Sequence, residues 1–454
     1  MQRAVERTQS GRSAGSGGEL RADRRPSRAR APDRGAGLVE VLAERAATSP
    51  GATAYEFVDA DGEIEALSYG VLAERASALA GSILAQQDQE RVRPALLLYP
   101  PGLEYVIAVH ACLLAGVPAV PAYPPEPWRP DAGLGRLSRI ADDLGPAIVL
   151  ADELVSSGLE MLGASHLRPT ALAEAPPLDL DAAARPDPDD VALVQYTSGS
   201  TSAPRGVVVR HRNLEHNMGA IAAYFGLDAQ TRGLIWLPPY HDMGLIGGIL
   251  TPLYFGFPVR LLSPLDFLKR PLSWLHQISD FRATISGGPN FAYDLCVRRR
   301  VSEEEVAQLD LSGWRLAFNG AEPVRRRTME AFAAKFAPAG FRRSSFFPCY
   351  GLAEATLIVS GAHWDGEAAD EEGRVACGLP LPDQELRVVD PATGRPVADD
   401  TEGELWLSGP SVTDGYWSAA ASEELFGELE GRRFLRTGDL GYLRDGELVL
   451  SGRV

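Results

Sequence analysis

Strand-like and helix-like segments alternate from Leu38 onward, a Pro-rich polar stretch interrupts them, and the alternation stops near Cys377. These observations predict an α/β protein: two parallel-sheet α/β subdomains packed together plus a smaller β-rich subdomain. Parallel strands need long crossovers, and the helices in those crossovers cover both sheet faces. A chain of 454 residues is too long for one core, so two or three units are expected. The expected division is an Arg-rich disordered tail at 1–36, a first α/β subdomain at 37–185, a second at 186–360, and a β-rich subdomain at 361–454.

Leu38–Ala47 spaces its apolar residues like a helix. Thr53–Val58 and Glu63–Leu67 flank the turn residues Asp59–Gly62 and predict a hairpin. Tyr69–Ala85 has a helical period, Ala95–Leu98 reads as a short buried strand, and Leu103–Ala115 as a helix. Tyr105–Tyr123 carries no charged residue and is long enough to raise a membrane span, but Gly116, Pro118 and Pro121 break it. A buried helix followed by a core strand at Val117–Ala122 is the better reading. Leu134–Leu144 is a further helix and Ala147–Ala151 a further strand. Ala175–Asp190 is polar and Pro-rich and reads as a linker. Val191–Gln195 is then a buried strand. Glu385–Val389, Glu404–Leu407 and Glu447–Leu450 are short strands among turns.

The net charge of −17 excludes a surface suited as a whole to nucleic acid. Residues 1–36 hold nine arginines against four acids, a balance of +5, which leaves about −22 on the rest. That tail has few large apolar side chains and no apolar signal core, so disorder is expected there. Four cysteines stand far apart without a Cys-x-x-Cys pair, which argues against a metal cluster or disulfide framework and for a reducing cytoplasm. The only lysines are Lys269 and Lys335.

Residues 196–206 read Tyr-Thr-Ser-Gly-Ser-Thr-Ser-Ala-Pro-Arg-Gly. Gly199 lets the backbone approach an anion, and Thr197, Ser198, Ser200 and Thr201 supply hydroxyl donors. This composition suits a phosphate-gripping loop, although a Ser/Gly linker has the same look. No Gly-Lys-Ser/Thr follows, so it is not a Walker loop. Phe318–Pro323 (FNGAEP) places a Gly turn after an apolar run, where open α/β sheets bind ligands. In Tyr350–Thr356 (YGLAEAT), Tyr350 beside Gly351 can stack on a nucleobase, and Glu354 is a hard oxygen ligand suited to Mg²⁺. In Phe434–Gly441 (FLRTGDLG), Asp439 can accept hydrogen bonds from ribose hydroxyls. Taken singly, a strand-to-helix turn, a solvated helix face and a β-turn explain these three strings equally well.

The loop resembles the ATP-phosphate loop of adenylate-forming enzymes, with Ser202 for the second Gly and Arg205 for the usual Lys. Arg keeps the charge but presents a planar fork. The other three strings resemble that superfamily's nucleotide motifs in the same order, and the likeness covers Leu38 to Val454. It implies ATP as cosubstrate, with Ser198, Gly199, Ser200, Thr201 and Gly206 on the phosphates. Asn319, Gly320, Ala321, Glu322, Pro323, Tyr350 and Gly351 would frame adenine. Glu354 would hold Mg²⁺ with Thr197 and Thr356, and Asp439 with Arg453 would hold the ribose. Leu237–Leu245 (LPPYHDMGL), the run to Ser263 and Ser286–Arg300 look like fatty acyl-AMP ligases, which load fatty acids onto acyl carrier proteins. That likeness implies His241 and Met243 at the mouth of an acyl pocket. Gly244, Gly247 and Gly248 would leave room for a chain, and Ile249, Leu253, Phe255 and Phe291 would form its wall. Thr197, Arg205, His241 and Glu354 are the expected catalytic residues, and no transmembrane segment is expected.

Two departures from the family pattern stand out. Its members continue past the Gly-Arg motif into a small C-terminal domain carrying a catalytic lysine, whereas this sequence stops at Val454. Impaired catalysis is the expectation, and a nucleotide- or acyl-adenylate-binding module is one rival. The insertion usual in acyl-AMP ligases is also short here: only Ala362–Ala376 separates Gly361 from Cys377. An acyl-CoA ligase is therefore the second rival. The acidic 362–376 segment is expected to be a surface loop.

Overall fold

The computed structural model describes residues 37–454 except 89–90, 126–129, 182–184, 198–203, 365, 368–369, 419–421 and 423. The chain forms three sheets. The eight-stranded sheet runs, in spatial order, Ile358–Gly361, Phe346–Gly351, Leu316–Asn319, Ile285–Gly288, Gly233–Ile235, Val259–Leu262, Thr53–Val58 and Ile64–Ser68. Its centre is parallel, and an antiparallel pair closes each edge. The first five-stranded sheet runs Ile148–Ala151, Ala95–Leu98, Ala119–Pro121, Val191–Thr197 and Arg205–Arg210, parallel except for the last pair. The third sheet is wholly antiparallel and lies between Glu385 and Arg453.

The expected division at 185/186 does not follow the sheets. The hairpin Thr53–Ser68 joins the later strands, Tyr55 pairing with Val259 and Val58 with Leu262. Conversely, Val191–Thr197 joins the earlier strands through Ala119 and Leu193. The described parts of the Pro-rich stretch are packed, and they lie between two strands of the same five-stranded sheet, Ile148–Ala151 and Val191–Thr197. Leu178 N–H donates to Ser77 O at 3.0 Å, and Leu178 and Leu180 pack on the core. Pro content marked an irregular path correctly, but it carries no information about which sheet each flanking strand joins.

The helix Leu103–Leu114 explains the uncharged run. It is buried at every position except Glu104 and packs against elements of both α/β sheets. A helix apolar on all sides belongs inside a large core. Among the described residues no helix is long and apolar enough to cross a membrane. Further along, Met243–Leu250 is a π-helix, a form that clusters at functional sites. Tyr55 OH donates to Ile249 O at 2.9 Å and Thr251 Oγ1 to Ile246 O at 2.7 Å, so side chains satisfy carbonyls of this wider turn.

The described residues of the 362–376 segment fit the expected surface loop only in part: Glu367, Glu371 and Glu372 are exposed, but other residues pack inward. Trp364 and Val375 are buried, Arg374 pairs with Asp370 at 2.5 Å, and Tyr442 OH reaches Asp370 at 3.1 Å. Arg326 N–H donates to Gly373 O and Val375 N–H to Val324 O. Asp370 is paired with Arg374, so charge count alone did not show that part of the segment packs inward.

His110 lies fully inside the Leu103–Leu114 helix packing, and burial pushes its imidazole down to about 4. As pH falls through the unfolded value near 6.5, the unfolded chain binds a proton that the folded chain refuses, so stability falls. From pH 7 to 4.5 the wild type should lose on the order of 2–3 kcal/mol more than His110→Met. Denaturant titrations at both pH values check this; parallel losses would contradict it.

Candidate active site

The strand Val191–Thr197 carries Thr197 to its end, directly across from Arg205. Ser198, Gly199, Ser200 and Thr201 lie outside the described residues. Gly206 is required by packing, since a Cβ there would sit 2.8 Å from the Tyr196 ring. The Arg205 guanidinium stands 5.5 Å from the centre of the Tyr416 ring, and Tyr416 OH donates to Glu354 Oε1 at 2.9 Å. Arg205, Tyr416 and Glu354 thus form one connected group from three separate segments. Thr413 N–H donates to Glu354 O at 2.8 Å and joins the 410–417 segment to it.

Glu354 sits in a short 3₁₀ turn, Ala353–Ala355, rather than on a solvated helix face. Burial raises its carboxyl above the usual range, and the nearby Asp242 and Asp439 add to the rise; the Tyr416 hydrogen bond opposes it. Asp242 is pushed up to about 6 by burial, although Met243 N–H donates to it at 2.7 Å. Thr356 does not present a free hydroxyl here: its Oγ1 donates to Ser411 O at 2.7 Å.

Tyr350 is buried and donates to Asp439 Oδ2 at 2.8 Å. Asp439 Oδ1 accepts from Arg453 Nε at 2.8 Å, the two residues facing each other across antiparallel strands. The structure therefore brings Tyr350, Asp439 and Arg453 together. Asn319 ends its strand fully buried, and neither atom of its amide has a partner among the described residues. An unpaired buried amide is costly, and a ligand with its own donors and acceptors relieves that cost. Gly320 allows close approach to Cys349, and Ala321, at a φ of +66°, faces a cavity. Glu322 is engaged elsewhere. Its Oε1 accepts from Phe291 N–H at 2.6 Å at the start of the helix Asn290–Arg298. Pro323 follows, half-buried.

That cavity is partly open to solvent, and its lining is mostly apolar. Its lining includes Tyr350, Gly351, Ala321 and Asp242. It extends between the helix His211–Phe225, through Ile221 and Phe225, and Phe257, Val259 and Ile285. Of the expected acyl-pocket residues, Met243 lines it and so does Gly247, followed by Thr251 at the same spacing of four. Gly244 and Ile249 instead border a separate small apolar cavity with Phe57 and Leu261. A Cβ on Gly244 would collide with Pro238 O, and one on Gly248 would press on Ile235, so those two glycines serve backbone packing. Leu253 lies in the core, Phe255 packs at its margin, and Phe291 is largely exposed. Of the four expected wall residues, Ile249 alone lies on the π-helical turn, which points Met243 and Gly247 rather than Ile249 at this cavity. His241 stays exposed in a concavity, its ring 5.8 Å from that of Tyr123; burial, then Arg136, hold its imidazole below the usual value. Tyr416 and Asp242 were the functional candidates missed. Thr413-Asp414-Gly415-Tyr416 does carry a signal, a Gly turn placing an aromatic.

The family of AMP-binding enzymes matches residues 42–417. The chain belongs to this family. Within it, the enzyme falls among the fatty acyl-adenylate ligases. It is 39% identical to the medium-chain-fatty-acid–[acyl-carrier-protein] ligase JamA of Moorena producens, covering 92% of this chain and 76% of that protein. It is 34% identical to the ligase of the same description, TtuA, of Teredinibacter turnerae, with the same coverages. The solved structure of a fatty acyl-adenylate ligase from L. pneumophila, in complex with acyl adenylate and pyrophosphate, superposes with a TM-score of 0.79 at 39% identity. It covers 92% of this chain and 77% of that one.

Two substitutions test the buried carboxylate. The folded carboxyl of Glu354 is raised above its unfolded value, so its contribution to stability is present at low pH and lost as pH rises through the folded value. At pH 7, Glu354→Gln should leave the ligand-free thermal midpoint unchanged or higher, while acyl-adenylate formation falls at least about 100-fold. Tyr416→Phe removes the bond that lowers this pKa, so the acidic limb of the rate profile should move to higher pH. A lower midpoint in the first variant, or an unmoved limb in the second, would contradict the assignment.

Proposed function

We propose that the enzyme activates a fatty acid with ATP to an acyl-adenylate, releases pyrophosphate, and passes the acyl group to the phosphopantetheine thiol of an acyl carrier protein. The observation that carries this is an apolar cavity whose lining includes Tyr350, the start of the Tyr350–Asp439–Arg453 chain, and Asp242, whose charge acts on Glu354. A hydrocarbon chain fits the cavity and a nucleotide the polar chain, so a carboxylate between them lies next to the α-phosphate.

A carboxylate oxygen forms a bond to the α-phosphorus, the bond to the bridging oxygen breaks, and pyrophosphate leaves with that electron pair. No proton transfer is needed. The protein's contribution is positioning and charge neutralisation. Arg205 supplies a fixed positive fork beside the phosphate loop. Tyr350 closes the base end, and Asp439 with Arg453 orients the ribose hydroxyls. In the second step the thiol sulfur attacks the acyl carbon, AMP departs, and the thiol proton goes to solvent.

Mg²⁺ fits the residues present. Among the described residues no three His, Cys, Asp or Glu side chains form a cage. Nucleotide-bound Mg²⁺ needs only one or two carboxylates beside phosphate oxygens, and Glu354 is a half-buried carboxylate without an ion-pair partner among the described residues. Glu354, with the hydroxyl of Thr197, would hold the ion, which supplies charge neutralisation on the phosphates when bound. Four unpaired thiols are consistent with a reducing cytoplasm. Mass spectrometry of the product formed from ATP and a medium-chain fatty acid tests the first step: acyl-AMP supports it, and AMP-free turnover or no product contradicts it.

Gly247 tests the cavity. A Cβ there meets only the end of Leu357 at 3.3 Å, so Gly247→Val fits and occupies chain space. kcat/KM for the longest accepted acid should fall at least about tenfold, with the shortest nearly unchanged. A uniform loss across chain lengths would place the chain elsewhere.

Acceptor choice follows from the short 362–376 segment. Given ATP, a fatty acid, coenzyme A and a phosphopantetheinylated carrier together, the enzyme should load mainly the carrier and release a minor share of acyl-CoA. Predominant acyl-CoA would favour a coenzyme A ligase.

A further inference from the structure

Immediately after Glu354 the backbone takes a form that non-glycine residues rarely adopt. Thr356 has φ +69° and ψ −62°, and Leu357 N–H donates to Ala355 O at 2.8 Å. This is a γ-turn of the strained hand, centred on a β-branched residue. Such strain persists only where surrounding contacts hold it, and it clusters at functional sites. The residues before this turn include Tyr350, bonded to Asp439, and Glu354, bonded to Tyr416. Those after it, Leu357 and Ile358, line the acyl cavity.

One side chain holds much of the turn in place. Asn217, on the helix His211–Phe225, is fully buried. Its Nδ2 donates to Ile358 O at 2.9 Å, to Ser411 Oγ at 3.0 Å and to Ala355 O at 3.4 Å. Its Oδ1 accepts from Ile358 N–H at 3.0 Å. Ser411, in turn, accepts from Thr356 through its carbonyl and meets His216 Nδ1 at 2.7 Å through its hydroxyl. The same helix ties down the 410–413 strip through Asn213, whose Nδ2 donates to Pro410 O at 2.7 Å. That strip leads to Tyr416, the partner of Glu354. The helix also follows directly on the strand that begins at Arg205. One rigid element therefore references both the phosphate side and the carboxylate side of the site.

We propose that Asn217 is a positioning residue that clamps the Ala355–Leu357 γ-turn and the Ser411 strip together, and thereby fixes Glu354 relative to the acyl cavity. Only a side chain with two donors and an acceptor in one plane serves these groups. Asp replaces the donors with acceptors facing two carbonyls, and Ala leaves the Ile358 amide and carbonyl without their side-chain partner. The proposal deepens the adenylating function argued above and rests on it for its kinetic arm alone.

The test compares wild type, Asn217→Ala and the milder Asn217→Ser with Ser345→Ala. The last removes a buried hydroxyl bonded to Trp314 O, remote from the turn in sequence and outside the cavity lining. In ligand-free protein, hydrogen exchange at the amides of Leu357 and Ile358 should speed up at least about tenfold in the Asn217 variants and stay unchanged in Ser345→Ala. In turnover, kcat for pyrophosphate release should fall at least about tenfold and the Mg²⁺ concentration for half-maximal rate should rise, with the fatty-acid KM within about threefold. Unchanged exchange at 357 and 358 would overturn the clamp. An equal fall of kcat in Ser345→Ala at matched thermal midpoint would reduce the effect to general destabilisation and overturn the positioning role. If Asn217→Ala does not fold, Asn217→Ser carries both readouts. A wild type that makes no acyl-adenylate would refute the proposed function, and the exchange comparison would still decide the clamp.

Discussion

The site depends on keeping one carboxylate, Glu354, out of water and pointed in a fixed direction. Burial makes its ionised form unfavourable, and the carboxylates of Asp242 and Asp439 add to the cost. What offsets this among the described residues is a hydrogen bond from its own backbone N–H and a phenolic one from Tyr416, which in turn stands against Arg205. Glu354 thus has no direct cationic partner among the described residues, which suits the proposed place of the triphosphate and Mg²⁺. Such a site is organised before the ligand arrives, so little reorganisation is needed when charge develops on the phosphates.

The interleaved sheets provide that organisation. Because Val191–Thr197 and Arg205–Arg210 belong to one sheet and Leu316–Asn319 and Phe346–Gly351 to another, the site forms where two sheets and the antiparallel third meet. The 410–417 strip bridges them. Val208 N–H donates to Gly415 O, Trp417 N–H to Gly206 O, and Thr413 N–H to Glu354 O. Asp439 comes from the third sheet and meets Tyr350 from the second. A change in how these layers pack reaches the nucleotide residues directly, while the acyl cavity lies largely within the eight-stranded sheet and its covering helices.

Much of this was legible in the sequence, and for identifiable reasons. Alternating strands and helices gave the α/β class because period and length are local properties. Ala95–Leu98 and the hairpin at Thr53–Ser68 came out nearly residue for residue, since short apolar runs and turn residues bracket them. Tyr350, Glu354, Asp439 and Arg453 stood in compact strings whose chemistry is visible without a fold. Sheet membership was not legible, because nothing in Thr53–Val58 says that its partner lies some 200 residues onward. Of the expected acyl wall, Ile249 turns away from the cavity on the π-helical turn, and Leu253, Phe255 and Phe291 stand on other helices outside its lining. Glu322 looked like a ligand and is a helix-terminal acceptor instead. Asn217 is an ordinary Asn on an ordinary helix until its four partners are seen in three dimensions.

The account stands on the claim that a fatty carboxylate and the α-phosphate of ATP meet at Glu354. The reverse of that step is the most direct probe, because it needs both substrates in place and no acceptor. Isotopically labelled pyrophosphate should be incorporated into ATP only when a medium-chain fatty acid is present, and Glu354→Gln should abolish the exchange while the protein remains folded. Exchange that proceeds equally well without fatty acid, or that survives Glu354→Gln, would contradict the central claim.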